Sequence, residues 1–110
     1  MKEIKPGTKV FLSGPMTGIE DYNFPLFDRV AKELEDKGVE VVNPARICRK
    51  FKRESVLSSK EVFNKMIDEQ QVAEMECNAI LLLPGWENSK GVRLELKTAL
   101  NLGLEIYLYE

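Results

Sequence analysis

Histidine is missing from all 110 residues, which removes the commonest general base and the commonest metal ligand together. Acid–base chemistry in this chain therefore falls to carboxylates, tyrosine, lysine or cysteine. Cysteine is scarce: Cys48 and Cys77 stand far apart without Cys-x-x-Cys spacing, so a structural zinc site is not expected and no metal ligands are assigned. Unpaired thiols suit a reducing cytoplasm. Neither a signal-peptide core nor an apolar run of membrane length occurs, so no membrane partner is expected. Excess positive charge is lacking as well. With 16 Lys and Arg against 18 Asp and Glu the net charge is -2, which argues against a nucleic-acid polymer as the main partner. No repeat, linker or low-complexity segment interrupts the chain. What is present, 44% hydrophobic and 31% charged residues, describes one domain over 1–110 that can bury a single core without disulfides.

Lys9 to Ser13 reads as a strand running into Gly14-Pro15-Met16-Thr17-Gly18. Continuous apolar strands favour a parallel sheet covered on both faces. A glycine-bracketed turn after such a strand can offer backbone N–H groups to an anion, although turns also need glycine on steric grounds. The spacing then predicts a helix from about Phe24 to Lys37, capped by Asp21 or Asn23, with Pro25 in its first turn and Gly38 as its stop. Its apolar stripe is Phe27, Val30, Ala31 and Leu34. Val39 to Val42 forms a second strand, ended by Asn43-Pro44, and closes a right-handed βαβ unit. From Ala45 to Ser59 the pattern assigns no element. Arg46, Arg49, Lys50, Lys52 and Arg53 place five cations in eight positions there, either to attract a phosphate-bearing ligand or as a solvated face.

A helix from about Lys60 to Glu76, with Val62, Phe63, Met66, Ile67, Ala73 and Met75 among its apolar positions, leads to an apolar strand, Ala79 to Leu83. A loop, a helix carrying Glu95 and an alternating last strand from Glu105 to Glu110 follow. The order β-α-β-loop-α-β-α-β predicts an α/β domain with a small open, mostly parallel sheet of order 2-1-3-4. Helices cover both faces, as in flavodoxin-like or Rossmann-like folds. Ligands in such sheets bind beyond the carboxyl ends of the strands where the order reverses, here between strands one and three. That rule brings the Gly14–Gly18 turn together with the Gly85–Gly91 loop.

Glu95 breaks the helix pattern around it. At about 100° per residue, Val92, Leu96, Ala99, Leu100 and Leu102 share one arc, and Glu95 lies inside it. Its neighbours three and four residues away, Gly91, Val92, Thr98 and Ala99, include no cation, so a helical ion pair does not explain it. Proximity to the helix N-terminus favours an acid but leaves the apolar flanks unexplained. Such a carboxylate belongs either to a structural network or to a functional site. Trp86 nearby has two readings as well, contact with a ligand or bridging loop and core.

Several stretches together carry a resemblance. Val10-Phe11-Leu12-Ser13-Gly14-Pro15-Met16-Thr17-Gly18, Asp21-Tyr22-Asn23-Phe24-Pro25, Asn43-Pro44, Leu83-Pro84-Gly85-Trp86 and Ser89-Lys90-Gly91-Val92-Arg93-Leu94-Glu95-Leu96 resemble the nucleoside 2-deoxyribosyltransferase-like superfamily, above all its small bacterial and phage branch. The resemblance covers nearly the whole chain and is poorest between Ala45 and Lys65. It implies that Glu95 is a nucleophile that attacks C1′ of a deoxyribosyl group through an oxocarbenium-like transition state. Six residues before that acid, transferases acting on free nucleosides carry Asp, whereas nucleoside 5′-monophosphate N-glycosidases carry Ser; here the residue is Ser89. A hydroxyl beside the Gly91 N–H can receive a phosphate that a carboxylate would repel.

By the same resemblance Met16, Thr17, Gly18, Ser89 and Gly91, with Arg93 beside them, form a phosphate cradle, while Gly14, Phe11, Asn23, Asp68 and Trp86 contact sugar and base. The implied activity is hydrolysis of a 2′-deoxynucleoside 5′-monophosphate to free base and deoxyribose 5-phosphate, without metal or cofactor. Base exchange by a nucleoside 2-deoxyribosyltransferase and a non-catalytic nucleotide-binding sensor are the alternatives. The expected partner is a small nucleotide or nucleoside, and the expected assembly a cytoplasmic homodimer or higher homo-oligomer. Departures from the pattern are specific. Phe11 replaces the tyrosine that hydrogen-bonds the catalytic acid in relatives. Gln70 replaces the acid expected eight residues before Asn78, with Asp68 two positions earlier as a substitute. The chain stops at Glu110, short of a C-terminal segment that some relatives lend to a neighbour's site, and no acid to protonate the base is assigned.

Overall fold

A computed structural model describes residues 3–54 and 58–109. Four strands, β1 (Lys9–Ser13), β2 (Glu40–Val42), β3 (Ala79–Leu82) and β4 (Glu105–Leu108), alternate with four helices, α1 (Phe24–Glu35), α2 (Pro44–Glu54), α3 (Ser59–Met75) and α4 (Lys90–Leu102). The sheet is parallel throughout and ordered β2-β1-β3-β4, as the strand pattern predicts. β1 and β3 are central, which is why both are apolar along their length: Val10 to Ser13 and Ala79 to Leu82 are buried on both faces. No helix among the described residues is long and apolar enough to cross a membrane.

The two faces of the sheet are filled differently. On one, Val10, Leu12, Leu81 and Leu83 pack against Phe27, Val30, Ala31 and Leu34 of α1, the stripe expected from its spacing. On the other, Phe11, Ile80 and Leu82 meet Val92 and Ala99 of α4 in a smaller cluster. At the edge, β4 turns Tyr107 inward and leaves Ile106 and Leu108 exposed. The apolar positions expected on α3 also divide, since Phe63 and Met75 are exposed while Met66 and Ile67 are half-buried.

Helix α2 corrects the reading of Ala45 to Ser59 as an unassigned stretch. Asn43 ends β2 and caps the helix, its Oδ1 accepting from Ala45 N at 3.0 Å, while Pro44 occupies the first position, where a missing N–H costs nothing. α2 buries Ala45 and Cys48, and its cations pair with the neighbouring helices. Arg46 donates to both oxygens of Glu35 at 3.0 and 2.9 Å, Arg49 forks onto Asp28, and Lys50 reaches Glu69 at 3.2 Å. The basic run is therefore tied to α1 and α3 through these three cations; the side chains of Lys52 and Arg53 lie outside the described residues.

Candidate active site

Two loops close over the carboxyl ends of β1 and β3. Gly14 follows β1 so tightly against β3 that a Cβ there would lie 2.8 Å from Leu83 Cβ, a distance no side chain tolerates. In the facing loop Gly85 adopts φ +87°, and a Cβ on it would press to 3.1 Å from Pro15 Cγ. Two residues without side chains thus let the loops interlock. Ser89 starts α4 as its cap, its Oγ accepting from Val92 N at 3.3 Å. Along the first loop Asp21, Tyr22 and Asn23 all have positive φ, a left-handed run that Asn and Asp tolerate and Tyr disfavours. Asn23 sits at the start of α1, but its amide does not cap the helix; it donates to Pro15 O at 2.9 Å and pins the loop.

Between the loops and helices lies a cavity of about 650 Å³, within the size range of small-molecule sites. Gly14, Met16 and Thr17 line it from one loop, and Ser89, Gly91 and Glu95 from the other side. These are six of the eleven residues expected at the site. The other five stand elsewhere, and each displacement has a local cause. Phe11 is completely buried in the sheet and presents no surface to a ligand. Trp86 is half-buried against the Phe11–Val92 cluster and does not line the cavity. Asp68 is on the exposed side of α3, so it does not substitute for Gln70. Gly18 lies beyond the cavity wall at φ +82°, and Asn23 is engaged with Pro15. Arg93 is exposed and donates to Glu87 O at 3.3 Å, away from the cavity.

Glu95 reaches the cavity from the second turn of α4. Ser13, fully buried at the end of β1, donates its hydroxyl to Glu95 Oε1 at 2.6 Å. Ser13 was not singled out by its sequence context, yet the signal exists. Residues 11 and 13 of a strand share a face, so with Phe11 unable to donate, the next side chain on that face is Ser13. The carboxyl of Glu95 is pushed up to about 8, chiefly by burial; the Ser13 hydroxyl opposes the shift by favouring the charged form, and the charge of Glu74 adds to it.

Glu74 is a second acid at the cavity, one that its sequence context does not mark. Helix α3 presents Ile67, Gln70, Gln71 and Glu74 to the cavity, a spacing of one helical face. Gln70 occupies the position of the expected acid and donates its amide to Cys48 Sγ at 3.7 Å. One turn further on, Glu74 is wholly buried, neither of its carboxyl oxygens has a hydrogen-bond partner, and burial pushes it up to about 7.

The sequence model of DUF4406, a domain of unknown function, matches residues 8–108. The chain belongs to the DUF4406 family. No curated protein matches the sequence. Among solved structures, this DUF4406 domain is similar to the 2-deoxyribosyltransferase of Bacillus psychrosaccharolyticus, with a TM-score of 0.71 and 18% identity over 91% of the chain and 70% of that protein. It is similar to the 2-deoxyribosyltransferase of Leishmania mexicana at a TM-score of 0.61 and 20% identity, covering 93% of the chain and 63% of the relative. A third likeness is to the CMP N-glycosidase BcmB of Clostridium botulinum, at 0.55 and 23% identity over 91% of the chain and 66% of that protein. These likenesses establish that the DUF4406 domain has the nucleoside 2-deoxyribosyltransferase-like fold, as its motifs imply.

Proposed function

We propose that this domain hydrolyses the N-glycosidic bond of a 2′-deoxynucleoside 5′-monophosphate, with Glu95 as the nucleophile. The observation that carries the reading is the Ser13–Glu95 hydrogen bond of 2.6 Å at the wall of a cavity shared by both loops. A carboxylate fixed in this way can approach C1′ as positive charge develops on the sugar, and its attraction for that charge is greatest in the transition state. Attack forms a glycosyl ester with Glu95 as the C1′–N bond breaks and its electron pair leaves with the base. Water then attacks C1′ and releases deoxyribose 5-phosphate. The 5′-phosphate belongs at the start of α4. There Ser89 uses a lone pair to cap Val92 and keeps its O–H proton for a phosphate oxygen, next to the helix N-terminus and the Gly91 N–H. Met16 and Thr17 complete the cradle from the first loop, and Gly14 opens room beside it. No carboxylate stands at position 89 to repel the phosphate. The described likenesses to two deoxyribosyltransferases and a CMP N-glycosidase support chemistry at a glycosidic bond.

Incubation with deoxynucleoside monophosphates and the matching nucleosides, with and without an acceptor base, tests this by chromatography of the free base. Base released from monophosphates without acceptor is the expected result. Release that requires the acceptor identifies base exchange, and binding without release identifies a sensor. Glu95→Gln is expected to bind the monophosphate while losing turnover by about 10⁴-fold or more. The reading also assembles the chain as a homo-oligomer, supported by large apolar side chains exposed on α3, α4 and β4, among them Met75, Leu100 and Leu108; light scattering gives the mass that checks it.

A further inference from the structure

We propose that Glu74 is the acid of this site, the side chain that holds a proton beside the Glu95 carboxylate and gives it to the departing base. The assignment rests on the N-glycosidic reading above and supplies what that reading lacks, since a base leaves poorly as an anion. Three observations place it. Glu74 belongs to the same cavity wall as Glu95, on the α3 face formed by Ile67, Gln70 and Gln71. It is fully closed to solvent with both oxygens unpartnered, an arrangement that disfavours a carboxylate and suits a neutral carboxyl with a proton to donate. Gln70 and Gln71 are amides, so among the described residues Glu74 is the acid that α3 presents to the cavity.

Titratable groups near Glu74 are Glu95 on α4 and Cys77 just after α3, and no cation contributes to its shift. The Cys77 thiol is itself raised to about 11 by burial and donates to Ala73 O at 3.3 Å, so it neither neutralises nor deprotonates Glu74. With Glu74 raised to about 7 and Glu95 to about 8, the two titrate as a pair that keeps a proton at neutral pH. In the free protein burial outweighs the Ser13 hydrogen bond and leaves Glu95 the higher of the two; positive charge developing at C1′ beside Glu95 draws the negative charge to it and leaves the shared proton to Glu74. Ser13 donates to Glu95 and stabilises charge there, whereas nothing donates to Glu74. The step then balances. The Glu74 O–H passes its proton to a base nitrogen as the C1′–N pair collapses onto the base, while a Glu95 oxygen bonds to C1′. In the second half the Glu74 carboxylate takes the proton of the attacking water, the Glu95 ester is cleaved, and both acids return to their starting state.

The test compares a natural deoxynucleoside monophosphate with 4-nitrophenyl 2-deoxyribose 5-phosphate, whose leaving group departs as a stable anion without a proton. Glu74→Gln is expected to lose about 100-fold or more of kcat/KM on the nucleotide and to stay within about threefold of wild type on the aryl substrate, where Glu95→Gln loses both. On the nucleotide the wild type should show a bell-shaped pH profile, and on the aryl substrate Glu74→Gln should lack the alkaline limb. Equal losses on both substrates, or no loss on either, overturn the assignment while leaving the glycosidase reading intact. A wild type inert towards both substrates sinks the glycosidase reading itself. Carbon-detected NMR of the glutamate carboxyls is independent of activity: two groups titrating in the neutral range, one of them absent in Glu74→Gln, are expected. A Glu74 carboxyl titrating in the ordinary carboxylate range overturns its role. If Glu74→Gln fails to fold, Glu74→Leu with the same two substrates serves in its place.

Discussion

Acids on the two sides of the sheet meet opposite environments. On the α1 side Asp28 and Glu35 are each gripped by an arginine, and the hydrogen bonds from Arg49 and Arg46 hold their carboxyls below the usual range. Across the sheet Glu74 and Glu95 are raised by burial, and among the described residues no cation contributes to either shift. The first pair fastens a helix to its neighbour. The second stores charge reluctantly beside a cavity, which is how a fold keeps a proton available at neutral pH. The packing follows the same division: α1 meets the sheet through contiguous buried side chains, while α3 meets it across open space. One side is closed by packing, and the other leaves open space that Leu12 and Phe27 of the filled face also border.

Packing gives the largest expected effect. Leu81→Ala, in the filled face, should lower stability by about 2–5 kcal/mol, whereas Ile67→Ala, at the cavity wall, should cost less than about 1 kcal/mol in urea unfolding; equal costs break the division. Next comes pH. The raised carboxyls of Glu74 and Glu95 bind protons in the folded chain that the unfolded chain has released, so their contribution is complete below about 4.5 and is lost as pH rises towards about 7 and 8. Stability should therefore fall between about pH 5 and pH 8, less steeply in Glu74→Gln or Glu95→Gln, and circular dichroism melts measure it. The depressed Asp28 and Glu35 act in the other sense, their contribution being lost on acidification. Third, Ser13→Ala should reduce kcat/KM by about 10- to 100-fold, the cost of a hydrogen bond to a charged group, and move the acid limb of the pH profile upwards because Ser13 holds Glu95 down. The smallest effect belongs to Arg49→Ala, about 1 kcal/mol or less and fading with salt, since that pair is partly exposed.

Much of this division is readable in the sequence, and the reasons for the remainder are local. β1 and β3 are continuous apolar runs and declare a central parallel position, from which the sheet order and the meeting of the two loops follow. Glu95 is visible because one acid interrupts an apolar arc. Helix α2 is hidden because it offers few apolar positions, because its arginines pair with Glu35 and Asp28, which are distant in sequence, and because Asn43-Pro44 ends a strand as naturally as it starts a helix. Glu74 is one of several acids on α3, with Glu61, Glu69 and Asp68, and nothing in the pattern reveals which way that weakly amphipathic helix is turned. Phe11 and Trp86 stand next to site residues in sequence, but strand alternation puts Phe11 in the core and the turn at Gly85 leaves Trp86 half-buried against it.

Trp86 is the chain's one tryptophan, set three residues before Ser89 and wedged against the cluster on which α4 rests. Its indole is therefore a built-in optical reporter on the packing of the corner that carries Ser89 and α4. Loosening of that corner should register as a change in emission without any label, and titrating Glu95→Gln with a deoxynucleoside monophosphate would show whether a ligand at the α4 end moves it.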